Sequence, residues 1–328
     1  MKHHTVQEAY LRQWQSETNQ LQIYLIPDNK YIEKGPNWKL FYKYDYNILD
    51  SNDDTYYLPE TVTEVIDTKG IEAIRRIDIS KQTQLSPEDR SAIAFYIALQ
   101  YIRTPRFREE TNKWFDAFIR YFMNKDITSP RKVAFSKKEM LAEKPTNKKD
   151  EEALEHLKQM SEAEIKQTLF DAHHNKAIKI LLTKAGHSKG ILKIDSLAEE
   201  VFNCQWNVLF TTKGLFDTSD NPCFAVSPSN VMSGLVSPLA TVIFPLRPDV
   251  CIYMKPRVKA RYEVFTEIES EQIQAINHLV LKNSYECVVS SSKAYLEELT
   301  KIYNYKGHRR SRDVIIIENG EYVMFNVE

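Results

Sequence analysis

The stretch SPEDRSAIAFYIALQYIRTP, residues 86–105, limits the fold more than any other part of the chain. Ser86 is a good N-cap, Pro87 fits the first helical position where no N–H is needed, and two acids follow in the first turn. The predicted helix runs from Ser86 to Arg103, and its middle, AIAFYIALQYI, is apolar on nearly every face. Such a helix must be buried on most sides, so the rest of the chain has to supply layers around it. At 328 residues and 42% apolar composition it can do so. Pro105 stops or kinks the helix just beyond Arg103.

The end of this helix carries the first candidate chemistry. Offsets of three, four and seven place Gln100 and Arg103 on one ridge with Ile93, Tyr96 and Ile97. A buried amide and guanidinium must find partners, and the natural partner of Arg103 is a carboxylate or a phosphate gripped by two donors. A structural ion pair pinning two parts of the protein together is the plain alternative.

The chain opens MKHHTVQEAYLRQWQ, in which Val6, Tyr10, Leu11 and Trp14 recur at helical spacing and predict an apolar face packed on the body. His4 and Arg12 flank that face. Two histidines with no linker behind them do not make a purification tag.

Further along, LQIYLIPDNKYIE reads as a hairpin turning at Pro27-Asp28-Asn29, and residues 56–77 read as a helix. Residues 131–150 carry seven Lys or Arg against three acids with little apolar content, the composition of a solvated linker. Helix returns over 151–185, and then the period changes. WNVLFTT, CFAV, TVIFPL, VCIYM and ECVVSS are short strand-like runs, with helices expected over 269–283 and 292–304. A last hairpin, VIIIENGEYVMF, turns at Asn319-Gly320. The expected fold class is α+β: a helical first half with an N-terminal hairpin, and a sheet-rich second half with flanking helices. Residues 1–300 read as a single domain containing the basic linker, and 301–328 as a basic loop with a hairpin.

Composition narrows the function. A net charge of -1 argues against a surface coated with nucleic acid, leaving only local patches. The densest is YNYKGHRRSR, which offers Lys306, Arg309, Arg310 and Arg312 beside two tyrosines. No apolar run approaches the ~18 residues of a membrane span, so no membrane partner and a cytoplasmic setting are expected. Cys204, Cys223, Cys251 and Cys287 stand singly in apolar runs, as core thiols do. Neither GxGxxG nor GxxxxGK[ST] occurs, so no common cofactor is indicated. The loop LFDTSDNPCF gathers Ser219, Asp220 and Asn221 behind a strand, where either functional loops or ordinary Asx turns are found.

Taken in order, these residues resemble the bacterial family known as domain of unknown function 4238. The family opens with a box close to H-Y-V-P-Q-F-Y-L-R-N-F, against which HTVQEAYLRQW aligns His4, Tyr10, Leu11, Arg12 and Trp14, with Gln7 in place of the family's proline. An isoleucine–acid step (Ile66-Asp67), QxxRTP (Gln100 to Pro105), TSDNP (Thr218 to Pro222), FPLxP (Phe244 to Pro248) and Asn277 near a helix start follow. The resemblance spans residues 4 to about 300 and implies one site drawn from distant segments: His4, Arg12, Asp67, Gln100, Arg103, Ser219 and Asp220, with Asn221 and Asn277 as further binding positions.

Two functions are expected of such a set. In the first, the protein is a metal-dependent phosphodiester or nucleotide hydrolase. Asp67 and Asp220 would hold Mg²⁺, His4 would act as general acid or base, and Arg12 and Arg103 would neutralise phosphate oxygens. Its substrate would be a nucleotide or nucleic acid. In the second, the same residues form a ligand pocket or ion-pair network in a sensing protein that engages a partner protein, with no chemistry. A role in bacterial conflict, such as phage defence, rests on association alone.

Overall fold

The computed structural model describes residues 2–47, 58–127, 148–174, 190–227, 234–302, 312–318 and 321–327, together with Lys138 and Leu141. Two compact units divide the chain. One comprises 1–110 and 183–315, with residue 328, and the other 111–182 and 316–327. Nearly all of 131–147, the greater part of the basic segment, falls outside the described residues, as do Lys306, Arg309 and Arg310.

In the first unit, β1 (Lys2–His4) precedes α1 (Glu8–Leu11) and a 3-10 turn (Arg12–Trp14). The predicted hairpin is present as β2 (Leu21–Leu25) and β3 (Lys30–Lys34), with Asn29 at the turn in the left-handed region (φ 48°), which asparagine tolerates. β4 (Tyr42–Tyr44) returns antiparallel to β1. Then come α2 (Leu58–Arg75), α3 (Pro87–Ile102) and the start of α4 (Pro105–Ile127). The Ser86 side chain caps α3 by accepting from the Asp89 N–H at 3.1 Å. Pro105 both follows the end of α3 and opens α4, where its lack of an N–H is harmless.

The second unit holds two further helices, α5 (Lys148–Gln159) and α6 (Glu162–His174). The sequence reading expected one helix across them. Ser161 and Glu164 exchange side-chain and backbone hydrogen bonds at 2.7 and 3.2 Å, a reciprocal cap that starts a new helix.

The sheet-rich half of the first unit follows α7 (Asp195–Phe202). Its strands are β5 (Cys204–Phe210), β6 (Thr218–Ser219), β7 (Phe224–Val226), β8 (Thr241–Arg247), β9 (Val250–Lys259), β10 (Glu263–Glu267) and β11 (Cys287–Ser290). α8 (Ser270–Asn283) and α9 (Lys293–Ile302) flank them. A five-stranded sheet has the order β10-β5-β9-β8-β7, with β10 parallel to β5 and the other pairs antiparallel. A four-stranded antiparallel sheet, β3-β2-β11-β6, joins the N-terminal hairpin to the second half. β12 (Arg312–Glu318) and β13 (Glu321–Val327) pair as the predicted last ribbon. The architecture is α+β, and among the described residues no helix is long and apolar enough to cross a membrane.

α3 is the buried helix that its composition demands. Ile93, Ala94, Tyr96, Ile97, Ala98 and Leu99 are fully enclosed. Gly70 lets α2 approach closely, since a Cβ there would lie 2.5 Å from Cδ2 of Tyr96. Near its N-terminus, buried Arg90 pairs with buried Glu263 of β10 and donates to the carbonyls of Phe202, at 3.0 Å, and Cys204. All three of its nitrogens are used, and the guanidinium lies over Trp206.

Removing one partner of such a pair strands the other in a low-dielectric interior. Arg90→Ala is therefore expected to lose about 3–5 kcal/mol in chemical denaturation, whereas Arg12→Ala, which breaks an exposed pair, changes stability by less than about 1 kcal/mol.

Candidate functional site

Three elements meet at the C-terminal end of α3. Arg103 caps that helix, is 1% exposed, and donates from Nη1 to both carboxylate oxygens of Asp67 at 3.0 and 2.8 Å. Asp67 lies one turn before Gly70 on α2, so the close approach of the two helices brings acid and guanidinium together. Glu60 lies seven residues before Asp67, on the same face of α2.

β1 contributes the two histidines. His3 is fully buried, and its Nδ1 accepts the backbone N–H groups of Tyr46 and Asn47 at 3.0 and 2.6 Å. The ring proton therefore resides on Nε2, which faces Glu60 Oε2 at 3.9 Å. Arg108 locks the same turn, donating to the Tyr46 carbonyl at 2.8 Å and the Asn47 side chain at 2.7 Å. Burial lowers the His3 pKa to about 4, so the ring is neutral at pH 7. Burial also lowers the pKa of His4, and the charges of Lys2 and Arg103 add to the effect. Glu60 moves the other way. Its burial raises the pKa, against the pull of Arg103 and with a push from Asp67.

Unmet polar atoms concentrate here. Arg103 Nε and Nη2, Nε2 of His3 and His4, and Glu60 Oε2 are buried with no hydrogen-bond partner among the described residues, while buried Gln100 lies beside the Tyr96 hydroxyl. Buried polar groups are normally satisfied, so each orphan calls for water or a ligand. The Nε–Nη2 edge of Arg103 is the two-pronged edge that grips a carboxylate or phosphate.

The structure thus brings together His4, Asp67, Gln100 and Arg103. It gives the other predicted positions different work. Asp220 accepts the N–H groups of Tyr285 and Glu286 at 2.9 and 2.7 Å, and burial raises its pKa to about 6. Ser219 Oγ accepts the Asn221 N–H at 3.1 Å, while Asn221 Nδ2 donates to the Asn283 carbonyl at 2.8 Å. Asn277 clamps the neighbouring loop, donating to the Leu215 carbonyl at 2.8 Å and accepting the Asp217 N–H at 2.9 Å. These residues brace β6 and β11, and they touch the α3 end through the Thr104 hydroxyl, 3.3 Å from Asn221 Oδ1. Arg12 stands apart in solvent, paired with Glu8 at 2.6 Å. Arg312 opens β12, away from every residue of this site in sequence.

Asp67 and Asp220, the pair expected to hold Mg²⁺, are each engaged with protein partners. The first spends both oxygens on Arg103 and the second on two backbone amides. No group of three or more His, Cys, Asp or Glu able to hold a metal occurs among the described residues.

Glu60 and His3 join the centre without having been expected from sequence. The seven-residue spacing to Asp67 was the available signal for Glu60. Nothing in the pair His3-His4 says which ring turns inward, because adjacent strand residues face opposite ways.

What emerges is an α+β protein with a buried arginine–carboxylate centre, one edge of the arginine unused and neutral histidines beside it. The chain belongs to the family described as Protein of unknown function (DUF4238), which it matches over residues 2–294. No curated protein and no solved structure matches it.

Two buried groups give opposite pH dependences. His3 has its pKa lowered from 6.5 to about 4, so its contribution is present above pH 6.5 and lost as pH falls through 4. Asp217 has its carboxyl raised from 3.8 to about 7 by burial, so its contribution is present below pH 3.8 and lost as pH rises through 7. In thermal melts, the difference between Asp217→Asn and wild type is expected to move in favour of the variant from pH 4 to pH 8. NMR titration of His3 is expected to give a pKa near 4, and a value near 6.5 would contradict the buried neutral ring.

Proposed function

We propose that the protein is a hydrolase of phosphate esters, with a nucleotide or phosphodiester held on the free edge of Arg103. The observation that carries the reading is a contrast within one helix. Arg90 and Arg103 are both buried on α3, yet Arg90 uses all three nitrogens on protein partners and Arg103 uses only Nη1. A purely structural arginine is satisfied like Arg90, whereas the open edge of Arg103 matches two oxygens of an incoming anion.

The pKa values of the neighbouring groups are shifted in the directions that hydrolysis needs. Neutral His4 acts as general base and takes a proton from the attacking water. Glu60, whose pKa burial raises, is the donor in this reading: when protonated it gives its proton to the leaving oxygen as the P–O bond breaks and the new one forms. Asp67 fixes the guanidinium, and Gln100 supplies a further donor. Glu60 and Asp67 keep partial exposure, at 25% and 14%, so the centre communicates with solvent. The reading places the enzyme in the cytoplasm, consistent with four buried free thiols, and a defence role is one setting for it.

The second reading, a ligand pocket or ion-pair network in a sensing protein, is favoured by the completed Arg103–Asp67 pair. One comparison separates them. Arg103→Lys keeps the charge but loses the planar fork, so hydrolysis across a panel of nucleotides and oligonucleotides is expected to fall by about 10²–10³-fold, with little change in the melt. Wild type inactive on the whole panel, together with a loss of about 3–5 kcal/mol in Arg103→Ala, would leave only the structural role.

A further inference from the structure

The five-stranded sheet has a second face that α3 does not touch. Along β5, Cys204, Trp206, Val208 and Phe210 are buried toward the core on the α3 side, while Gln205, Asn207 and Leu209 alternate outward and are partly exposed. α8 runs across that outward face. It presents Gln272, Ala275, Ile276 and Leu279, at offsets of three, four and seven, without closing against the strands. Between them lies a cavity of about 540 Å³, well within the range of small-molecule sites.

Its walls are chiefly aliphatic: Leu209 and Ile243 from the sheet, Ile268 behind β10, and Ile276 and Leu279 from α8. The charged group in this lining is Lys255 of β9. Its ammonium lies 6.0 Å from the centre of the Tyr253 ring and has no ion-pair partner among the described residues. Two acids flank Ile268 in the chain, and each has a partner of its own. Glu267 accepts from the Thr212 hydroxyl, and Glu269 takes Lys213 at 2.7 Å. Gln205 and Asn207 add amide groups beside the lysine.

We infer that this cavity binds a small amphipathic monoanion, an aliphatic chain bearing one carboxylate, with the chain between the sheet and α8 and the carboxylate on Lys255. An apolar slot with a lone cation selects such a molecule twice. The walls favour the chain through burial, and the unpaired ammonium favours the head over a neutral or cationic one. This site is independent of the Arg103 centre.

Dodecanoate is the probe, with dodecyltrimethylammonium as its cationic counterpart, both in titration calorimetry against the full chain below micelle formation. One dodecanoate per chain is expected, with at least tenfold weaker binding of the cation. Lys255→Met is expected to weaken dodecanoate binding at least tenfold, and Lys255→Arg to restore most of it. Ala275→Trp fills the slot and is expected to abolish binding. Lys255 is partly exposed, so the Met and Arg variants keep the test readable should the Trp variant fail to fold. No binding of dodecanoate, equal binding of the cation, or undiminished binding to Lys255→Met would each overturn the assignment.

Discussion

A helix buried along most of its length has little water with which to satisfy its inward polar residues, and the protein is organised around that constraint. α3 carries cations near both ends, and each is met by an acid from a different element: Arg90 by Glu263 of β10, Arg103 by Asp67 of α2. The first pair ties the helix to the edge of the five-stranded sheet and the second ties it to its neighbouring helix. Burying charge is costly unless it is paired, so α3 fits only where both acids are in place. The pairs therefore select one position for the helix, beyond what its apolar faces could specify.

The N-terminal segment closes over the same core. Tyr10 donates to the Pro245 carbonyl at 2.6 Å, Gln13 to the Leu246 carbonyl at 3.1 Å and Trp14 to the Phe216 carbonyl at 2.8 Å. Side chains from the first fifteen residues thus satisfy carbonyls more than 200 residues away, while the Tyr10 ring stacks on Phe244 and lies tilted against Tyr96. β1 belongs to the same segment, and it carries His3 to Glu60 and His4 to the neighbourhood of Arg103. The aromatic box is the support on which the polar centre rests.

Where local physics dictates structure, the sequence was informative. The Ser86 cap, the alternating CQWNVLF strand and the turn at Asn29 follow from neighbours a few residues away. β10 was not legible, because EVFTE sits at a sheet edge, where charged residues blur the strand pattern. The polar set was half legible for a related reason. A residue type announces that a partner is required but not which one. Asp220 met that need with two backbone amides, and Arg12 met it with Glu8 in solvent. Glu60 and His3 escaped notice because their role depends on how α2 and β1 approach each other.

The charge balance of the centre bears on how the proposed hydrolysis would proceed. Arg103 and Asp67 cancel, and both histidines are held neutral by burial, so the remaining variable is Glu60. With Glu60 ionised the centre is net negative and repels a phosphate. With Glu60 protonated it is neutral, and the open Nε–Nη2 edge then decides the interaction. An anion settling on Arg103 would itself raise the Glu60 pKa further, since like charges disfavour ionisation. Ligand entry and proton uptake thus reinforce one another, and the carboxyl would hold its proton at the moment the leaving oxygen needs it. In the proposed reaction the burial of Glu60 would therefore contribute to two steps, admission of the anion and protonation of the leaving group.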